Sequence, residues 1–243
     1  MSLGVAQDVS GQVAPASRQA KAAAVKQPEA VEVGRPKRDP WVYSIAKRAV
    51  DLTVSFIALV VTSPLMAVIG LAIKLESKGP VLFGHVRVGR GGKSFRCYKF
   101  RTMRRGAQKE LLVNANLKRR YVENDYKLPL EEDPRVTAVG RFLRKSSLDE
   151  LPQLFNVLGG SMSLVGPRPI VREELRWYGS KAQLFLSVRP GITGVWQVLG
   201  RSRIGYPDRT EVELDGIRRR SFWGDMKVLL RSIPAVIVAR GSL

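Results

Sequence analysis

Apolar residues are unevenly spread along the chain, and their spacing divides it. Residues 1–40 are rich in Ala, Val, Gln and Ser, with no aromatic side chain and no sustained period. They read as a disordered N-terminal tail. No apolar stretch follows the start, so the tail is no signal peptide. From Val54 to Ile73 the pattern reverses: VSFIALVVTSPLMAVIGLAI is a run of 20 residues without a formal charge. That length matches the hydrocarbon of a bilayer, and a core helix is rarely apolar on all sides for so long. Ser63-Pro64 interrupts the run at its middle. Proline removes a backbone hydrogen bond, and a neighbouring Ser can satisfy the carbonyl so freed. Basic residues flank both ends: Lys37, Arg38, Lys47 and Arg48 before, Lys74 and Lys78 after. A spanning helix carries positive charge mainly on one side. The residues therefore favour a helix-break-helix that enters one leaflet and returns, and leave a spanning helix or a buried core helix open.

Beyond this run the periods shorten. VLFGHVRVGR-GG-KSFRCYKFRTM, residues 81–103, alternates on both sides of Gly91-Gly92 and predicts a β-hairpin with a tight turn. Lys99 and Arg101, two apart, share one side of a strand. They fit either an anion site or a solvated basic edge. Residues 104–132 are charged and mixed, with helical stretches. Leu151, Leu154, Phe155 and Leu158 then fall at helical spacing, ended by Gly159-Gly160. A cap at Asp149 places Pro152 third in that helix, among donors that have no partner anyway. Asp149 and Glu150 are thus expected at a helix N-terminus, as ordinary capping acids or beside an anion held by Arg144, Lys145 and Arg168. Phe222, Met226, Leu229, Leu230 and Ile233 form a C-terminal amphipathic helix that Pro234 should break. Lys227, Arg231 and Trp223 on it suit either a membrane interface or an ordinary packing helix.

Composition narrows the chemistry. The chain has 243 residues, 41 Lys+Arg against 21 Asp+Glu, and a formal charge of +20. The tail accounts for little of this excess, which lies in residues 41–243 and implies an anionic partner. One cysteine, Cys97, excludes an internal disulfide or a Cys-rich zinc site. One histidine, His85, excludes a multi-His metal centre. An enzyme with this composition would rest on carboxylates, Lys/Arg and a hard, oxygen-ligated metal ion.

Several segments in order resemble one family. They are KRAVDL (47–52), the run with Ser63-Pro64, RVGRGGKSF (87–95), YKFRTM (98–103) and DPRVTAVGRFLRKSSLDELPQL (133–154). SMSLVGPRP (161–169), RPGITGVWQV (189–198) and a final Leu214-Asp215, Ser221, Asp225, Lys227 pattern complete the set. Together they resemble the bacterial polyprenyl-phosphate hexose-1-phosphate transferases, or monotopic phosphoglycosyl transferases, over about five-sixths of the chain. The resemblance implies transfer of hexose-1-phosphate from a UDP-hexose, galactose or glucose, to undecaprenyl phosphate for exopolysaccharide synthesis. Asp149 would be the nucleophile, forming an aspartyl-phosphosugar and releasing UMP. Mg²⁺ would sit near the dyad, with Asp149 and Glu150 as its ligands. Lys99, Arg144 and Arg168 carry over as phosphate or nucleotide contacts, Arg101 joins them as a substrate-binding candidate, and Pro167, Arg201 and Asp215 are site neighbours. Ser63-Pro64 matches the family's helix break. The short length resembles the single-module members, and GHVRVGRGG with IPAVIVARGSL is closest to rhizobial-type initiators that use galactose. One stretch departs: Gly216-Ile217-Arg218-Arg219-Arg220-Ser221 lacks the aromatics many members have there.

The fold expected is α+β and mostly helical: a monotopic membrane protein with a re-entrant helix-break-helix, a small β-hairpin and amphipathic interfacial helices. Its parts are the tail 1–40, the membrane segment 41–78 and a cytoplasmic membrane-associated catalytic domain 79–243. It would lie on the cytoplasmic face of the bacterial inner membrane, in contact with its lipids, with no nucleic-acid partner and with a homodimer left open. A nucleic-acid binder would be soluble in high salt, where this chain should need detergent. A non-catalytic scaffold would not require Asp149.

Overall fold

The computed structural model describes residues 40–123, 128–200 and 204–237. The tail expected at 1–40 lies outside them save for Pro40, as does Arg201. The apolar run forms the middle of one helix, α1 (Trp41–Glu76). Pro64 lies inside it and the helix runs on without interruption, so the helix-break-helix expected at Ser63-Pro64 does not appear as a break in α1; the proline removes one backbone hydrogen bond. The carbonyl that Pro64 leaves unpaired is that of Val60, and the Ser63 hydroxyl donates to it at 2.8 Å. Thr62 does the same to Ala58 O at 2.7 Å. Buried residues of α1 are Asp51 and Ser55 near one end and Ile69 and Ile73 near the other. Between Phe56 and Val68 none is buried, and Phe56, Val61 and Val68 are more than half exposed. The helix is long and apolar enough to cross a membrane, and this exposed apolar surface is compatible with monotopic membrane association.

The hairpin follows. β1 (Leu82–Val88) pairs antiparallel with β2 (Ser94–Phe100), with His85 opposite Cys97 and Val88 opposite Ser94. A 3₁₀ turn at Arg90–Gly92 joins them. Gly91 and Gly92 have φ of 68° and 76°, the left-handed backbone that makes glycine the residue of choice there. The hairpin's edges are engaged. The Asn156 amide accepts from Tyr98 N–H at 2.8 Å and donates to Arg96 O at 2.7 Å. Val88 N–H donates to Ile170 O at 2.9 Å.

The mixed region supplies α2 (Ala107–Val113) and α3 (Ala115–Glu123). α4 (Ala138–Ser146) is capped twice. Thr137 Oγ1 accepts from Gly140 N–H at 2.9 Å, and Glu76, the last residue of α1, accepts from Ala138 N–H at 2.6 Å. After it come α5 (Gln153–Leu158) and β3 (Ser163–Val165), then β4 (Gly191–Thr193) parallel to β3. Short helices α6 (Ala182–Phe185) and α7 (Val195–Leu199) lead to α8 (Asp208–Arg218) and α9 (Phe222–Ile237). α9 continues through Pro234 instead of ending before it. Its Val228 and Leu229 pack on the core around Val157, Met162 and Leu164, while Trp223 and Leu230 stay exposed. A second core joins Ile69 and Ile73 of α1 to Phe100 and Leu143. A third surrounds Tyr178, Phe185 and Leu214.

α4 rests directly on backbone. A Cβ on Gly140 would lie 2.1 Å from Thr102 O, so Gly140→Ala should push α4 off that strand end. The expected loss is about 1–3 kcal/mol, read as a lower melting temperature of the detergent-solubilised protein; an unchanged melting temperature would show that α4 can shift freely.

Candidate active site

Asp149 and Glu150 do not begin α5. They lie in a 3₁₀ turn, Leu148–Glu150, entered through Ser147 in the left-handed conformation (φ 59°, ψ 13°), and Pro152 is the N-cap of α5. The proline therefore starts the helix rather than sitting third in it. Asp149 is buried and Glu150 half-buried.

β2 delivers Lys99 to this turn. Its Nζ donates to Glu150 Oε1 at 2.7 Å and lies 3.4 Å from Asp149 Oδ2. Burial by itself would lower the Lys99 pKa, but Glu150 and then Asp149 outweigh it, and the ammonium is held above its usual value. Arg168 approaches from the loop after β3, its NH2 3.8 Å from Glu150 Oε1. Its backbone N–H donates to Glu213 Oε1 of α8 at 3.3 Å. Arg144, at the C-terminal end of α4, is oriented by Nε donating to Thr102 Oγ1 at 3.0 Å. Burial raises the Asp149 carboxyl above the usual carboxylate range, and the Glu150 charge adds to this; Lys99 and Arg144 pull the other way. Lys99, Arg144, Arg168, Asp149 and Glu150 thus meet in one place. A cleft beside them is lined by Arg87, Lys99, Glu150, Gln153 and Arg168. The pattern along the chain had not singled out Arg87 or Thr102. Arg87 follows simply from alternation in β1, but Thr102 becomes meaningful only once α4 lies against it.

The other candidates are placed differently. Arg101 lies past the end of β2, and its guanidinium closes the C-terminus of α1. NH2 donates to Ser77 O at 2.6 Å, Ser77 Oγ at 2.8 Å and Ile73 O at 3.3 Å; NH1 donates to Lys78 O at 3.1 Å. Pro167 O accepts from Gly191 N–H at 2.8 Å and so ties β3 to β4. Asp215 is half-exposed on α8 and pairs with Arg219 at 2.8 Å.

The donor set suits a hard cation. Mg²⁺ is held by one or two carboxylates together with substrate phosphates and water, which is what Asp149 and Glu150 offer. No group of three or more His, Cys, Asp or Glu converges among the described residues, so a cage made only of protein is not formed there. Two adjacent carboxylates among three cations can bind a polyanion and also supply an oxygen nucleophile.

Comparison with known proteins fits this arrangement. A profile of the bacterial sugar transferase family matches residues 42–239. The chain is similar to the exopolysaccharide production protein ExoY of Sinorhizobium fredii, 41% identical over 200 residues that cover 82% of this chain and 88% of ExoY. It is similar to the undecaprenyl-phosphate galactose phosphotransferase of Salmonella typhimurium, 46% identical over 199 residues, 81% of this chain and 41% of that protein. It is also similar to the UDP-glucose:undecaprenyl-phosphate glucose-1-phosphate transferase of Klebsiella pneumoniae, 40% identical over 201 residues, 78% of this chain and 39% of that one. The chain thus spans about two-fifths of the length of these two transferases and most of ExoY.

The geometry separates Arg101 from its neighbour Lys99. Arg101→Ala should strip donors from one buried and two partly buried carbonyls and cost about 2–4 kcal/mol. That corresponds to a melting temperature lower by roughly 5 °C or more. A variant of unchanged melting temperature with weakened anion binding would instead return Arg101 to the anion site.

Proposed function

The chain belongs to the bacterial sugar transferase family, and from that premise we propose that it moves hexose-1-phosphate from a UDP-hexose to undecaprenyl phosphate. The observation that carries this reading is the pairing of Asp149 and Glu150 around Lys99, with Arg144 and Arg168 beside them. In the first step an Asp149 carboxylate oxygen attacks the phosphorus bonded to the sugar. A new P–O bond forms to Asp149, the bond to the bridging oxygen breaks, and UMP leaves with that electron pair. In the second step a phosphate oxygen of undecaprenyl phosphate attacks the same phosphorus. The acyl-phosphate bond breaks, Asp149 returns as carboxylate, and undecaprenyl-diphosphate-hexose departs. Lys99, Arg144 and Arg168 balance the charge that gathers on the non-bridging oxygens. Glu150 keeps Lys99 charged and in place. Mg²⁺, held by Asp149 and Glu150, would neutralise the diphosphate when bound. The names of the relatives support both substrates and, through ExoY, exopolysaccharide synthesis.

Seating at the cytoplasmic face of the inner membrane belongs to the same proposal, with α1 re-entrant. Two observations support it. The first is the exposed apolar middle of α1 with its compensated proline. The second is that one polar body grips both ends. Lys47 and Arg48 donate to Val165 O at 3.0 Å and Val157 O at 2.7 Å, while Arg101 and α4 hold the other end. A helix crossing the bilayer would place these two ends in opposite aqueous phases, and the body that binds both would have to straddle the membrane.

The deciding experiment presents a panel of UDP-sugars to the solubilised protein with Mg²⁺ and undecaprenyl phosphate. UMP is expected from one hexose, with lipid required for turnover. Asp149→Asn should lower the rate by about 10⁴-fold or more and leave no hexose-phosphate adduct in intact-mass spectra. UDP in place of UMP, or an active Asp149→Asn, would overturn the mechanism.

The raised Asp149 pKa sets a pH dependence. The nucleophile is the ionised form, so activity falls as pH drops through a pKa above that of an ordinary aspartate. Removing the Lys99 charge raises this pKa further. The acid limb of kcat/KM in Lys99→Met should therefore move to higher pH; a limb that stays in place would show that Asp149 is not the titrating group.

Re-entrance is read by labelling. Single cysteines in place of Ser44 and Ser77 should react with an impermeant reagent from the same side of the membrane. Labelling from opposite sides would make α1 a spanning helix.

A further inference from the structure

A hollow partly open to solvent lies away from the dyad. It lies between the first turns of α1, the β4–α7 segment and α8–α9, and its lining includes Arg48, Arg90 and Arg189. Two of these have a structural task. Arg48 donates to Val157 O at 2.7 Å and Leu158 O at 3.0 Å, and Arg189 Nε donates to Gly160 O at 2.9 Å. They close the C-terminal end of α5, where the carbonyl dipoles attract cations. Those bonds use only three of the ten N–H groups the two guanidiniums carry.

Arg90 has no such task. It is exposed, and among the described residues it makes no hydrogen bond or ion pair. Its charge nevertheless reaches Arg189, whose pKa is lowered by burial and further by Arg48 and Arg90. The other cations of the hollow are already engaged. Lys47 pairs with Asp225 at 2.7 Å, and Arg220 donates to Ile217 O. Of the acids, Glu213 is paired with Arg209. Asp51, the acid nearest to Arg189 in effect, is taken by Ser163 Oγ at 3.0 Å and Leu164 N–H at 2.9 Å. Three arginines thus converge with no carboxylate in ion-pair contact with any of them among the described residues. Crowding like charges at the end of one short helix exceeds what its half-unit dipole can balance, and an added anion would complete the group.

We propose that Arg48, Arg90 and Arg189 form a phosphate-binding site, separate from the dyad and filled by the phosphodiester of an anionic lipid headgroup. The dyad precedes α5, and this cluster lies at the other end of it. Its depth along α1 matches a headgroup. Arg48 comes shortly before the charge-free run starts at Val54, and the exposed Trp41 and Trp223 stand on the two helices that border the hollow, as aromatic residues do at a bilayer surface. The choice of lipid over free phosphate rests on the membrane seating proposed above; the phosphate chemistry does not.

The test uses the full chain. Its melting temperature is followed in detergent against inorganic phosphate, and in nanodiscs of phosphatidylcholine with and without phosphatidylglycerol. Lipid retention is read by native mass spectrometry, and UMP release is assayed in parallel. Phosphatidylglycerol should stabilise and be retained, with Arg90→Gln weakening the effect about tenfold and Arg90→Glu abolishing it. Arg90 bonds nothing, so both variants should fold. Stabilisation by inorganic phosphate alone, sensitive to Arg90, would keep the site and overturn the lipid as its occupant. No stabilisation by either, or a response that Arg90→Glu leaves intact, would overturn the proposal. UMP release by both variants at the wild-type rate would show that the two sites are distinct, and failure of UMP release in the wild type would count against the transferase reading alone.

Discussion

A helix whose middle is apolar on its open face can be fastened to a water-soluble body only near its polar ends, and α1 meets that constraint with charge. At its start Lys47, Arg48 and Asp51 bind the backbone of β3, α5 and their connections; Asp51 alone accepts both Ser163 Oγ and Leu164 N–H. At its end Arg101 collects the last carbonyls, and Glu76 caps α4. Each of these bonds is charge-assisted and most are partly buried, where such bonds are strong. The elements that carry the candidate site are the ones fastened: α4 brings Arg144, the turn before α5 brings the dyad, and the loop after β3 brings Arg168. The position of α1 and the geometry of the site are therefore one arrangement.

Within the site, burial and charge oppose each other usefully. Removing Asp149 from water makes it a stronger base, and therefore a stronger nucleophile when ionised. Lys99 and Arg144 oppose the rise. Glu150 lets Lys99 remain charged in that half-buried place.

The parts legible along the chain are those whose cause is local. The apolar run and the Gly91-Gly92 turn depend on neighbours a few residues away and are found where the spacing predicts; at Ser63-Pro64 the hydroxyl-to-carbonyl bond is found but the helix is not interrupted. The dyad was visible as a pair of acids before an apolar helix, though the chain enters it through a left-handed Ser147 that no propensity favours. What the pattern hid is long-range. β3 and β4 are three residues each, too short to show a period, and they pair across an intervening segment. Arg101 looks like a partner of Lys99 by alternation, but the ladder stops at Phe100 and its side chain goes to α1. The role of Asp51 depends on a residue 112 positions away.

Asn156 has a consequence beyond holding the hairpin in register. Its amide occupies the free edge of β2 as a neighbouring strand would, and Ile170 O takes a donor on the edge of β1. A two-stranded ribbon with both borders open invites another copy to add a strand. Confinement to a bilayer surface concentrates proteins in two dimensions, where such additions would spread sideways from chain to chain. With its borders engaged, the hairpin offers those neighbours little to template on.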